Sequence, residues 1–135
     1  MKQTTQYACH MKADQRPSVK EPLDLSPLVG DWVNTKPDTS YLVRVVLTEQ
    51  DSCLVFRGFG ANESEPIDWG EVEAVPYAAG TSLMAGGFHA FYNLDGIETH
   101  LVANQKLGIL VIQSYTRYLD GSGRIGHFAR EFFHR

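Results

Sequence analysis

The sequence predicts an all-β protein, an eight-stranded antiparallel up-and-down barrel behind a flexible N-terminal tail. Three observations predict it. From Leu25 onward, Val, Ile, Phe, Tyr and Thr gather in runs of strand length between clusters of Gly, Asn, Asp and Pro. No segment long enough for a helix carries a helical apolar period. Short strands joined by hairpins, with no helix to cover a flat sheet, escape exposed edges by closing on themselves.

The elements follow in order. Residues 1–24 are polar, carry Pro17 and Pro22, and show neither period, so they form the expected tail; residues 25–135 form the barrel domain. The strand runs are 28–34, 41–48, 53–60, 67–77, 85–93, 97–104, 107–118 and 124–134. Lys36-Pro37-Asp38, Glu49-Gln50-Asp51, Asn93-Leu94-Asp95-Gly96 and Asp120-Gly121-Ser122-Gly123 punctuate them. Gly supplies positive φ, and Asn and Asp bond their own backbone, so these are hairpin turns.

Composition narrows the function. A chain of 135 residues is one domain and buries about two thirds of its unfolded surface. Twelve basic against sixteen acidic residues, net −4, excludes a general nucleic-acid or anionic-membrane binder, since both need a positive field. No apolar run reaches the ~18 residues of a membrane span, and no apolar stretch follows Lys2 as in a secretory leader. Cys9 and Cys53 lie far apart, which fits free thiols in a reduced, cytoplasmic setting. There is no phosphate-binding Gly-rich loop, nucleophile elbow, Cys-x-x-Cys or His-Glu-x-x-His, so neither a cofactor nor a metal is expected.

The first strand, Leu28-Val29-Gly30-Asp31-Trp32-Val33-Asn34, carries a Gly-x-Trp, and the last carries Arg130. Together they resemble the calycin superfamily, the avidin-, lipocalin- and fatty-acid-binding-protein-like barrels. The resemblance implies that Trp32 opens the barrel and that Arg130 packs over it by cation–π contact. Gly30, Trp32 and Asn34 match the avidin-like opening Gly-x-Trp-x-Asn, but no Trp follows Trp69 to wall in biotin, and the lipocalin disulfides are absent.

Strand alternation assigns faces once a register is chosen. With Trp32 and Arg130 inward, Asn34, Phe128, Phe132 and His134 share the interior. A five-residue loop at 119–123 then brings in Leu110, Ile112, Ser114, Thr116 and Tyr118. Two-residue turns at 105–106 and 94–95 bring in Ile97, Thr99 and Leu101, then Phe88, Ala90 and Tyr92. A four-residue loop at 49–52 brings in Tyr41, Val43, Val45, Leu47, Leu54 and Phe56. Leu42, Val46, Val111, Tyr115 and Phe133 face out, and so much outward apolar surface suggests a homo-oligomer.

The expected interior is apolar with a few polar handles, which suits a small, mostly apolar ligand. Its ligand-binding candidates are Asn34, Tyr41, Phe56, Trp69, Phe88, Thr99, Ser114, Phe128 and Arg130. The alternative is a cofactor-free isomerase, cyclase or dehydratase acting on a small apolar metabolite. There Glu71, brought inward with Trp69, is the acid/base, and Tyr92 or Tyr118 donates a hydrogen bond. The opposing arrangement places Gly70, Val72 and Ala74 inside and the carboxylates in solvent. His89 and His100 sit opposite one another on the outer face and read as surface histidines.

Overall fold

Two-residue turns that require positive φ join three of the hairpins. In the computed structural model, which describes residues 22–135, Asp51-Ser52, Asp95-Gly96 and Leu107-Gly108 hold every φ between 53° and 87°. That mirror-image turn matches the twist of the strands it joins. The strands are β1 (Gly30–Asn34), β2 (Leu42–Gln50), β3 (Cys53–Gly60), β4 (Ile67–Ala78), β5 (Ala85–Leu94), β6 (Ile97–Lys106), β7 (Ile109–Tyr118) and β8 (His127–His134). Each pairs antiparallel with the next, and β8 returns to β1 to close the barrel. The expected tail lies outside the described residues except for its last three. Of those, Leu23 packs against the core, and the Asp24 N–H donates to the Leu83 carbonyl at 2.8 Å.

The interior is lined by buried apolar side chains. Leu47, Leu54, Phe56, Phe88, Leu101 and Ile112 are each at most 2% exposed. Full burial of such a side chain contributes about 1.5–3 kcal/mol. Among the described residues, no buried side-chain polar atom lacks a partner.

One end of the barrel is plugged by the turn leading into β1. Leu28 is fully buried there, and the Trp32 indole N–H donates to its carbonyl at 2.8 Å. A guanidinium does lie over Trp32, 4.4 Å from the ring, but it belongs to Arg135, which also donates to the Val29 carbonyl at 2.8 Å. Arg130, expected in that position, lies on the outer face, 5.6 Å from the Phe132 ring. Gly30 is required beneath Arg135: its φ is +152°, and a Cβ there would stand 2.6 Å from the arginine Cδ.

The misplacement of Arg130 follows from a one-residue error in register. The connection after β7 runs from Leu119 to Gly126, longer than the expected five residues, with Gly121 and Gly123 at positive φ. Ser114 therefore pairs with Ala129 and Ile112 with Glu131. His127, Ala129, Glu131 and Phe133 take the inner face, whereas Phe128, Arg130, Phe132 and His134 take the outer. Phe133, expected outside, is fully buried, and Phe128, expected inside, is 61% exposed. A register shift between Leu42 and Arg44 likewise turns Leu42 inward, to 1% exposure.

Candidate functional site

The end opposite the plug is where the inner faces carry polar groups. The strand ends there are joined by residues 35–41, 61–66, 95–96 and 119–126. The strand ends bring Trp69, Thr99, Thr116, Tyr118 and His127 to one mouth, and the first loop adds Tyr41.

Trp69 reaches it through a bulge. Arg57 pairs with Glu71 but Phe59 with Asp68, so β4 carries one extra residue at Trp69-Gly70. Gly70 supplies the positive φ of 86° that this break needs. Alternation is reset across the bulge. Trp69 packs against the core on one side of it, and Val72 and Ala74 on the other. Both of the expected arrangements of β4 are thus partly realised. Glu71 and Glu73, however, are left exposed on the outer face. Glu71, expected as an acid/base in the barrel, does not reach the interior.

A bulge leaves backbone groups without ladder partners, and Tyr92 supplies them. Its hydroxyl donates to the Gly70 carbonyl at 2.7 Å and accepts from the Gly58 N–H at 3.1 Å. Burial pushes its pKa up to about 12. Tyr92, a candidate hydrogen-bond donor to substrate, is therefore committed to the scaffold. Beside it, Arg57 holds the Asp68 carboxyl down to about 2, and the Gly70 N–H adds to the effect at 2.8 Å.

The mouth itself combines aromatic walls with a chain of hydroxyls. The Trp69 ring stands edge-on to Tyr41 and to Tyr92, with centroids 5.4 Å away in each case. Tyr41 Oη lies 3.2 Å from Thr116 Oγ1, which lies 3.0 Å from Thr99 Oγ1. Tyr118 Oη lies 3.0 Å from His127 Nε2, and the Arg124 guanidinium covers the Tyr118 ring at 4.0 Å. The surrounding loops expose Asp38, Glu63, Glu65, Asp95 and Asp120 against Lys36 and Arg124. Such a rim repels anions and admits neutral or cationic molecules.

The other expected residues lie deeper or elsewhere. Phe56 and Phe88 form the packed floor, 5.7 Å apart, and Ser114 is buried near it. Asn34 is buried, but its polar ends are occupied. It donates to the Leu42 carbonyl at 2.7 Å and to Glu131 at 3.0 Å, and it accepts from the Lys36 N–H at 2.8 Å. Glu131 also accepts from the Thr39 hydroxyl and, at 3.4 Å, from the Leu42 N–H. This carboxylate fastens the 35–41 loop to the barrel. Glu131 and His127 take the inner face only in the observed β8 register, and Thr39 lies in the loop that Glu131 anchors. His89 and His100 are not opposite one another: His89 pairs with Val102, and His100 with Phe91. No group of three His, Cys, Asp or Glu gathers as a metal site among the described residues.

Compared with known proteins, the chain matches no family model, no curated sequence and no solved structure.

Proposed function

We propose that the protein is a calycin-like barrel that binds one small, mostly apolar molecule, neutral or cationic, at its mouth. The observation that carries this reading is the set of three aromatic rings around the Tyr41–Thr116–Thr99 hydroxyl chain at the unplugged end. Flat apolar walls with a few placed hydroxyls are what a small-molecule site needs. The packed floor at Phe56 and Phe88 confines the ligand to the outer layer, so a ring system fits the space better than a long acyl chain.

Native mass spectrometry of the gently purified chain, against a denatured control, would reveal a co-purifying ligand. Nile red serves as a neutral apolar probe. It should bind saturably, quench Trp69, and lose at least tenfold in affinity in Trp69→Ala and Thr116→Val. A clean mass combined with no saturable dye binding refutes the reading.

A second reading, a cofactor-free isomerase, cyclase or dehydratase, is favoured by the Tyr118–His127 contact at the same mouth. Such a pair can give and take a proton beside a bound substrate. In that case His127→Gln should abolish turnover of the bound molecule while sparing its binding. Unchanged turnover would remove the pair from consideration.

A further inference from the structure

The outer surface of the barrel is divided. Over β1 to β4 it carries two ion pairs, Arg44 with Asp31 and Arg57 with Asp68, beside scattered exposed Val33, Ile67 and Val75. Over β5 to β8 it is aromatic. Phe91, His100, Tyr115 and Phe128 are successive cross-strand partners and run as one row across four strands. Phe91 and His100 pack with centroids 4.6 Å apart, and Tyr115 stacks on Phe128 at 5.9 Å and 21°. In the next row His89 pairs with Val102, and Val102 with Gln113. Tyr77 leans on His89, with its hydroxyl 2.7 Å from Nδ1.

These side chains are exposed to a degree unusual for their type. Tyr77 is 51% exposed, Phe91 40%, Val102 48%, Tyr115 47% and Phe128 61%. At ~150–250 Å² for each aromatic, they present about 500 Å² of apolar surface. That lies high in the ~300–600 Å² range of the largest patch on a monomer. The patch is also shaped. A groove of about 490 Å³ runs between Tyr77, His89 and Val102, and a second of about 310 Å³ between Tyr115, Arg117 and Phe128; His100 borders both.

We infer that this face is a homodimer interface, occupied by a second copy of the chain about a two-fold axis running along β6. Two arguments select a second copy. A standard interface buries about 800 Å² per partner, and homodimer interfaces are about 65% apolar. About 500 Å² of apolar surface inside an ~800 Å² footprint meets that proportion, and Gln113, Asn104 and the Glu98–Arg117 ion pair supply a polar rim. The row also extends to either side of β6, so a two-fold contact can pair it with itself. An axis along β6 carries the β7–β8 side of one copy over the β4–β5 side of the other. Tyr115 of each copy then faces Phe91 of its partner across the axis, twice. The placement of Phe128 outside the barrel is accounted for by the same interface.

Sedimentation velocity on the full chain from 1 to 100 μM tests the proposal. The expected result is a species of twice the 15.1 kDa chain mass. Val102→Arg and the milder Tyr115→Gln should weaken association at least a hundredfold and tenfold respectively, with unchanged far-ultraviolet circular dichroism. Thr48→Arg, on the charged face, should leave the dimer intact. A larger assembly reduced to a smaller one by Val102→Arg and Tyr115→Gln also supports the interface. A monomer across the whole range overturns it, whether the patch is bare or covered by another part of the chain. An assembly indifferent to both patch substitutions overturns it too. Should Val102→Arg not fold, Tyr115→Gln decides alone.

Discussion

Replacing Tyr92 by Phe removes one oxygen and leaves the ring in place. The oxygen is the partner of the Gly58 N–H and the Gly70 carbonyl at the β3–β4 bulge. A buried backbone group left unpaired costs about 1–3 kcal/mol. Gly70 is only half-buried and its carbonyl can recruit water, so the expected loss is about 2 kcal/mol in all. With a urea slope of about 1–3 kcal/mol/M, the unfolding midpoint should fall by roughly 1 M. The alkaline limb gives an independent check. Tyr92 keeps its proton up to about pH 12 in the native barrel, whereas an unfolded tyrosine loses it near pH ~10. The stability from neutral Tyr92 is therefore complete below about pH 10 and is lost as the pH rises towards 12. The raised value corresponds to about 2–3 kcal/mol, and solvent near the mouth reduces the effective amount to about 1–2 kcal/mol. The variant should lack this limb. The wild-type-minus-variant absorbance titration should show one phenolate appearing near pH 12. Equal urea midpoints, or a difference phenolate near pH ~10, would refute the bridging role.

Three further outcomes are expected. Gly30→Ala forces a Cβ against Arg135 at an unfavourable φ and should cost about 1–3 kcal/mol by thermal unfolding; a near-neutral result would show that Arg135 moves aside freely. Glu131→Gln replaces one of two acceptor oxygens by an N–H₂ that must face donors, either Asn34 and Thr39 or the Leu42 N–H, and should cost about 1–3 kcal/mol, with earlier hydrogen exchange in residues 35–41; an unchanged loop would remove Glu131 as its anchor. Asp68 has a depressed native pKa, so its contribution is present above the ordinary carboxylate value and is lost as pH falls towards 2. Acid unfolding of Asp68→Asn should accordingly be less steep over that range, and identical acid limbs would show that the Arg57 pair contributes nothing.

How much was legible in the sequence depended on parity. The predicted turn at 94–95 lies at 95–96, the one at 105–106 at 107–108, and the loop at 49–52 is the turn 51–52. These errors move the pairing by even numbers of residues, so Thr99, Leu101, Phe88, Tyr92, Leu47 and Phe56 keep their predicted inner face. Only the β7–β8 connection is out by an odd number, and there every side chain flips. Its three glycines allow several loop lengths, and the register was set by taking Arg130 as the inward partner of Trp32, a place that Arg135 fills. The bulge at Trp69-Gly70 was hidden for another reason. Strict alternation cannot place Trp69 and Val72 on one face, and the isolated Gly70 was the one local signal of the break.

The short seam between β1 and β8 has a consequence for how the barrel is assembled. Every other strand pair is a hairpin between sequence neighbours, whereas the seam joins residues about a hundred positions apart through Val33–His134, Asn34–Phe133 and the Thr35 N–H, which donates to the Phe132 carbonyl at 2.8 Å. Local hairpins form early, and contacts across long loops form late. The chain is therefore expected to zip as an open meander and to close last, with Arg135 latching over Trp32 as the final strand docks. The reverse path is the natural route of partial opening, so amides of β1 and β8 should exchange with solvent ahead of those in β5 to β7.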